Sequence, residues 1–156
     1  MELRELTIRD RDSIANLFRN VFANEPWNDD WSDRAQLDAY IHDLIGQDNS
    51  LTLGYFDGDH IVALAMGHIK HWFAGTEYNV DELCVDREMQ GRGIGSMFLG
   101  EMERWLSERG ITRIFLQTDR DMPAYVFYKH RGFREMEEHV SFVKEIRGCG
   151  CLSNGK

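Results

Sequence analysis

Hydrophobic and polar positions follow two different spacings in the first third of the chain, and they predict one strand and two helices. Residues 3–9 alternate between polar and apolar side chains, as in a strand with one buried face. Residues 11–22 place apolar side chains three and four apart, which is typical of an amphipathic helix. A second helical pattern runs to about Ile45, and either Ser32 or Asp33 can cap its first turn.

The remainder of the chain mixes strand and helix patterns. Residues 51–56 and 60–69 flank an Asp-Gly dipeptide and predict a hairpin, and residues 78–85 predict a further strand. The clearest helical pattern, residues 93–109, ends at a glycine. After it we expect a strand over 113–118, a short helix opened by Pro123, a short extra strand over 133–136 and a last strand over 139–146. This order predicts a single α/β domain over residues 1–146 with a central mixed sheet.

Composition narrows the class of protein. The chain has 156 residues, of which 42% are hydrophobic, which is enough for one domain with its own core. The net charge of −9 disfavours nucleic-acid binding, which needs a basic face, and would attract a cationic small molecule, although solubility alone also explains an acidic chain. No apolar run has the length of a membrane span, and Met1–Glu5 lacks a signal-peptide core. We therefore expect a cytoplasmic protein with no membrane partner.

Neither the cysteines nor the histidines predict a metal site. Cys149 and Cys151 lie in residues 147–156, a stretch without periodicity that we interpret as a disordered or appended tail. His68 and His71 are three apart in a strand pattern, so their side chains face opposite sides of the sheet.

The segment with the most specific chemistry joins a strand pattern to the clearest helix. It has glycines at alternate positions in a tight turn, so its backbone N–H groups can converge on one anion at the positive end of the helix dipole. Its spacing fits neither the dinucleotide fingerprint nor the P-loop, and leaves a Q-x-x-G-x-G pattern. The residues concerned are Gln90, Gly91, Arg92, Gly93, Ile94, Gly95 and Ser96.

A second motif lies downstream, in the short helix. Ala124 and Tyr128 are followed at the same four-residue spacing by Gly132 and then Phe133. With the glycine loop, this motif resembles the GNAT N-acetyltransferases, and the resemblance covers nearly the whole chain to about Ile146. It implies the GNAT fold, with a mostly antiparallel, twisted sheet flanked by helices, and acetyl-coenzyme A as co-substrate without a metal.

The resemblance also implies roles for individual residues. The loop from Gln90 to Ser96 would hold the pyrophosphate of the coenzyme. The backbone at Leu83, Cys84 and Val85 would run beside pantetheine, and an N–H there would polarise the thioester carbonyl. Tyr128 would lie near the sulfur, and we expect it to bind the coenzyme and to protonate the leaving thiolate.

Acetyl transfer to an amine also needs a carboxylate, because an alkylammonium must lose a proton before it can attack. Strand alternation places Asp81 on the face of Leu83 and places Glu82 on the opposite face, unless a bulge shifts the phase. We expect Asp81 to receive or orient the substrate amine, with Glu82 as the alternate. Asp119 follows the next strand and can also face the acceptor. Cys84 is the only plausible thiol nucleophile, and its setting favours direct transfer in a ternary complex.

The acceptor is predicted from acids and aromatic side chains in one segment. Residues 25–38 are rich in carboxylates, and Trp27 and Trp31 can stack on a ring or cover a cation. Asp81, together with the run Gln117-Thr118-Asp119, resembles the acidic site of aminoglycoside 6′-N-acetyltransferases. We expect Trp27, Asp30, Asp81, Glu82 and Asp119 to bind a cationic amine, with antibiotic resistance as the implied role. Two alternatives remain open: a peptide, protein or polyamine acceptor, and a coenzyme A-binding module without catalysis. The sequence is also compatible with a homodimer.

Overall fold

A five-stranded mixed sheet forms the centre of the molecule. The structure, a computed structural model, describes residues 1–146. The strands lie in the sheet in the same order as in the chain, and each neighbouring pair is antiparallel except the last two strands, which are parallel. The strands are β1 (Glu2–Leu6), β2 (Ser50–Asp57), β3 (His60–Trp72), β4 (Gly75–Val85) and β5 (Arg113–Leu116).

Helices cover both faces of this sheet. Two cores result. One joins the apolar stripes of the first two helices to one sheet face, and the other joins the apolar stripe of the third helix to the opposite face. The side chain of Asp33 accepts hydrogen bonds from the N–H groups of Ala35 and Gln36, so Asp33, rather than Ser32, caps the second helix. The helices are α1 (Arg11–Phe22), α2 (Arg34–Ile45), α3 (Ile94–Ser107) and α4 (Pro123–His130).

A bulge in β4 decides which side chains of that strand share a face. Glu82 pairs with Met66 of β3, whereas Val80 pairs with the very next residue, Gly67, so Asp81 is the additional residue on β4. Gly67 is required there, because a Cβ would lie 2.0 Å from a backbone oxygen of β4. The bulge reverses the alternation, so that Val80 and Leu83 both belong to the core beneath α3.

The same position marks the end of the pairing between β4 and β5. Their ladder ends at Val80 and Leu116, while β4 continues to Val85 paired only with β3. An opening therefore forms outside the carboxyl end of β5, at the place where ligands bind in open α/β sheets.

Two expected strands are absent from the described part of the chain, and two others are shorter than expected. Residues 133–136 and 139–146 form no strand, which corrects both predictions. This segment contacts the domain through side chains, including a 3.0 Å hydrogen bond from Gln117 Nε2 to Ser141 Oγ, and no backbone ladder accompanies them. Phe142 and Val143 remain more than 90% exposed. An alternating pattern gives a strand only where a sheet edge completes the ladder.

The first strand ends at Leu6 instead of Arg9, and β5 ends at Leu116 instead of Thr118, where its pairing with β4 stops. Thr7 caps a short 3₁₀ turn over Ile8–Asp10, which interrupts the strand. The predicted tail over residues 147–156 lies outside the described residues. Within residues 1–146, no helix is both long and apolar enough to cross a bilayer.

Candidate active site

A cleft of about 950 Å³ lies at the opening between β4 and β5. The bulged part of β4 forms one wall, the segment after β5 forms another, and α4 closes a third side. Four carboxylates and three aromatic side chains that bear on the chemistry line it: Asp29, Asp81, Glu82, Asp119, Trp27, Tyr125 and Tyr128.

The glycine loop lies between the carboxyl end of β4 and the first turn of α3. Gly91 and Gly93 have φ angles of +72° and +78°, a conformation that side chains with a Cβ rarely adopt, and no atom lies within 4 Å of where their Cβ would be. Gly93 is the N-cap of α3 and supplies no side-chain cap, so the first N–H groups of the helix remain available. Gln90 Nε2 ties the loop to the carbonyl of Val85 at 3.1 Å. The result is an open, anion-accepting cradle that suits a pyrophosphate.

The third glycine of the loop has a packing role instead. A Cβ at Gly95 would lie 3.4 Å from Phe127 of α4 and 3.5 Å from Val85 of β4. These are ordinary van der Waals distances, so Gly95 marks the place where α3 lies against both elements, and a small side chain would also fit there. Arg92, Ile94 and Ser96 complete the segment; Ile94 is buried, and Arg92 is exposed next to Met89.

Asp81 lies at the rim of the cleft and has a histidine partner. Its Oδ2 is 3.2 Å from Nδ1 of His68 on β3, and about 40% of each side chain is exposed. The bulge turns Asp81 away from both cores, so its carboxylate can meet a solvated cation.

Glu82 lies deeper than Asp81, on the face covered by α1 and α2. Tyr40 of α2 donates a 2.5 Å hydrogen bond to Glu82 Oε1. Burial raises the pKa of Glu82 to about 6, the hydrogen bond from Tyr40 opposes that rise, and the charges of Asp29 and Asp81 add to it. A carboxylate with such a pKa is suited to accept a proton near neutral pH.

Tyr128 of α4 is buried and lines the same cleft. Its pKa is raised to about 12, first by burial and then by the nearby Cys84 and Glu82. Its ring packs between Phe127 and Phe133, at centroid distances of 5.4 and 5.2 Å. The phenol therefore keeps its proton throughout the physiological range and can donate it.

Cys84 follows Glu82 on β4 with its side chain buried in the core beneath α1 and α2. Burial, with the nearby carboxylates of Glu82 and Asp86, raises the pKa of its thiol far above the ordinary value. A neutral, buried thiol is a poor nucleophile. Its neighbours Leu83 and Val85 are partly buried against the opposite core.

The expected acceptor residues are brought together with one exception. Trp27 lines the cleft and packs on Phe22 at 5.6 Å, and Asp119 lies on the opposite wall. Asp30 does not line the cleft: its carboxylate accepts the N–H of Ser32 at 3.1 Å, in the turn before α2. Asp29 lines the cleft where Asp30 was expected. It follows Asn28, whose φ of +54° turns the backbone at this point.

Comparison with known protein families identifies the domain. The model of the acetyltransferase (GNAT) family matches residues 11–133, which include the glycine loop, the bulged strand and α4. The chain belongs to the GNAT family. It is an acyltransferase, and members of this family use acetyl-CoA, which suits the cradle at Gly91 and Gly93.

Solved structures share the fold of this GNAT acetyltransferase. A possible acetyltransferase from Clostridium difficile 630 superposes with a TM-score of 0.78 at 20% identity, covering 94% of this chain and 98% of the other. An aminoglycoside acetyltransferase from an uncultured soil metagenomic sample, in complex with sisomicin, gives 0.72 at 20% identity over 94% and 96%. A transcriptional regulator from Bacillus halodurans C-125 gives 0.72 at 18% identity over 92% and 99%.

Four residues at this GNAT site lie outside the predicted set: Asp29, Tyr40, His68 and Tyr125. Sequence alone does not show which of two adjacent acids, Asp29 or Asp30, faces a cleft. In the sequence, Tyr40 is an ordinary apolar position of a helix, His68 is a candidate for metal binding only, and nothing distinguishes Tyr125. The carboxylate-rich run around Trp27 was the one signal that could have indicated Asp29.

Proposed function

We propose that this GNAT enzyme transfers an acetyl group from acetyl-CoA to a primary amine of a cationic small molecule, with the 6′-amine of an aminoglycoside as the acceptor. The observation that carries the proposal is that Asp29, Asp81, Glu82 and Asp119 line the same cleft as Tyr128. Among the described residues, six carboxylates line the cleft against three cationic side chains, those of Arg120, Lys129 and Arg134, and this excess of negative charge favours a polycation. The cleft also borders the strand and helix that the family motif assigns to the coenzyme.

The loop from Gln90 to Ser96 holds the pyrophosphate of acetyl-CoA in this proposal. The positive φ angles of Gly91 and Gly93 turn the backbone toward the anion, and the first turn of α3 supplies further N–H groups. The backbone of Leu83, Cys84 and Val85 runs beside pantetheine, on the part of β4 that β5 leaves unpaired. Acetyl-CoA supplies the activated acyl group, and these residues hold that group in place beside the cleft.

The two adjacent carboxylates of β4 have different roles toward the amine, one in binding and the other in proton transfer. Asp81, partly exposed at the rim, orients the substrate ammonium. Glu82, which is half-buried and has a pKa of about 6, takes the proton directly or through a water. Near neutral pH the Glu82 carboxylate is mostly deprotonated, yet it is more basic than an ordinary glutamate.

Tyr128 and Cys84 complete the scheme. Tyr128 gives its phenolic proton to the departing sulfur, since its pKa of about 12 keeps it protonated until the thiolate forms. Cys84 forms no acetyl-enzyme, because its thiol is buried and neutral. Transfer is direct, from acetyl-CoA to the amine within one ternary complex.

The acceptor can be tested by measuring thiol release from acetyl-CoA with a panel of amines. The panel contains sisomicin, a matched aminoglycoside with a hydroxyl in place of the 6′-amine, spermidine and a lysine peptide. Turnover with sisomicin that vanishes with the 6′-hydroxyl compound supports the proposal and fixes the position of transfer.

Two outcomes would contradict it. Turnover only with spermidine or the peptide would overturn the aminoglycoside acceptor and leave amine acetylation standing. Acetyl-CoA binding measured by calorimetry, with no turnover on any of the four amines, would point to a coenzyme-binding module instead.

A further inference from the structure

Glu82 is connected to the second helix by a contact that the acetyl-transfer scheme does not use. Tyr40 is one of the apolar-face residues of α2, 42 positions away in sequence, and its hydroxyl lies 2.5 Å from Glu82 Oε1. Trp31 stacks on the Tyr40 ring at 5.1 Å, and Phe18 of α1 contacts it at 5.7 Å. The ring is thereby fixed on two sides with its hydroxyl aimed at the carboxylate.

Electrostatics around Glu82 explains why this hydroxyl matters. Every other charge near Glu82 opposes its ionisation: Asp81 precedes it on β4, and Asp29 reaches it from the segment after α1. On the remaining sides, β3 places Met66 opposite it, and α4 brings the neutral phenol of Tyr128. Cys84, the next residue on the same face of β4, is a neutral thiol. Tyr40 is therefore the one neighbour in the described structure that stabilises the charged form of Glu82.

We propose that Tyr40 is a positioning residue for acetyl transfer, whose hydroxyl holds the Glu82 carboxylate charged and fixed in the cleft. This inference rests on the proposed function, in which Glu82 accepts the proton of the amine. One oxygen of Glu82 is occupied by Tyr40, which leaves the other for the amine or a bridging water. Tyr40 itself touches no reacting atom, and its effect passes through Glu82.

The direct test is a titration of Glu82 by carboxyl carbon NMR in the full chain without coenzyme, with Glu82→Gln used for assignment. In Tyr40→Phe the ring and its stacking remain and the donor is lost, so we expect the titration midpoint of Glu82 to rise by about one pH unit, as for a hydrogen bond to a charged group. An unchanged or lower midpoint would overturn the proposal.

A matched control removes a buried tyrosine hydroxyl from the other core, the one beneath α3. Tyr78 is fully buried on β4 and donates a 2.9 Å hydrogen bond to the carbonyl of Leu51, away from Glu82. Tyr78→Phe should leave the midpoint unchanged, and an equal rise in both variants would assign the effect to general loosening. If Tyr40→Phe does not fold, 3-fluorotyrosine at position 40, a stronger donor, should lower the midpoint, and no change would count against the proposal.

The kinetic counterpart separates this inference from the proposed function. With acetyl-CoA and sisomicin, we expect the acidic limb of kcat/KM to vanish in Glu82→Gln and to move up by about one pH unit in Tyr40→Phe. A limb that persists in Glu82→Gln would overturn the role of Glu82 itself. A limb that vanishes in Glu82→Gln but does not move in Tyr40→Phe would overturn only the role of Tyr40.

Discussion

Asp81 Oδ2 lies 3.2 Å from Nδ1 of His68, across the β3–β4 ladder and beside the bulge that Asp81 itself creates. The contact fixes an acid that would otherwise turn freely at the rim of the cleft. It also gives the two neighbouring carboxylates of β4 different partners, since Asp81 pairs with an imidazole and Glu82 with a phenol. Different partners and different burial are the means by which one strand can hold one acid for binding and another for proton transfer.

Asp81→Asn should weaken acceptor binding more than it slows chemistry. Loss of a half-exposed charge predicts a rise of about fivefold in the KM for sisomicin, shrinking at high salt because exposed charges are screened. Steady-state kinetics at two ionic strengths measures this. Asp30→Asn is the matched control, because Asp30 lies off the cleft and should leave that KM unchanged. A salt-independent fall in kcat for Asp81→Asn would instead place Asp81 in the chemical step.

Gly93→Ala should weaken acetyl-CoA binding about tenfold, because a Cβ at a φ of +78° strains the cradle by about 1–2 kcal/mol. Calorimetry with coenzyme A gives the affinity. Gly58→Ala is the control: Gly58 has a φ of +60° with open space around it, in the turn between β2 and β3. It should lose comparable stability and keep its affinity, and equal affinity losses in both would argue against a phosphate cradle at Gly93.

Tyr128→Phe should lower kcat by about 100-fold or more while leaving coenzyme affinity nearly unchanged, because it removes one proton donor and keeps the ring. Since the pKa of Tyr128 is about 12, its ionisation should not produce a basic limb below about pH 11 in the wild type. Rate measurements from pH 6 to 10 check both points. An unchanged rate in Tyr128→Phe across this range would make Tyr128 a packing residue only.

Cys84→Ala should retain most of its turnover, because the proposed transfer passes directly from acetyl-CoA to the amine. Alanine keeps the backbone beside pantetheine and removes the buried thiol. Rapid-quench analysis with labelled acetyl-CoA and no acceptor should find no acetylated protein. Loss of turnover in a variant that still folds and binds coenzyme would require a covalent mechanism.

Glu82 should make stability depend on pH. Its pKa is raised from 4.5 to about 6 in the folded state, so the folded protein binds this proton more tightly than the unfolded chain. The resulting stabilisation is complete below about pH 4.5 and is lost as pH rises through 6, a change of about 2 kcal/mol. Urea unfolding of Glu82→Gln between pH 4 and 7.5 should lack this loss. Parallel curves for wild type and variant would contradict the raised pKa.

Features that depend only on the local backbone could be predicted from the residues alone. A loop such as Gln90–Ser96 specifies its own geometry, because glycines at positive φ and a following helix need no distant partner. The apolar stripes of α1, α2 and α3 and the Asp-Gly hairpin follow from the same short-range rules. The glycine loop and the motif of α4 are enough to carry the GNAT resemblance.

Contacts between side chains that are distant in sequence depend on how the elements pack. Asp29 rather than Asp30 faces the cleft because of a turn at Asn28, and Tyr40 reaches Glu82 because α2 packs over a bulged strand. Residues 139–146 form no strand for the same reason. Alternation of polar and apolar residues favours a strand, but a neighbouring sheet edge must complete its hydrogen bonds. Burial, charge proximity and pairing are properties of three-dimensional neighbours, and a single sequence does not list them.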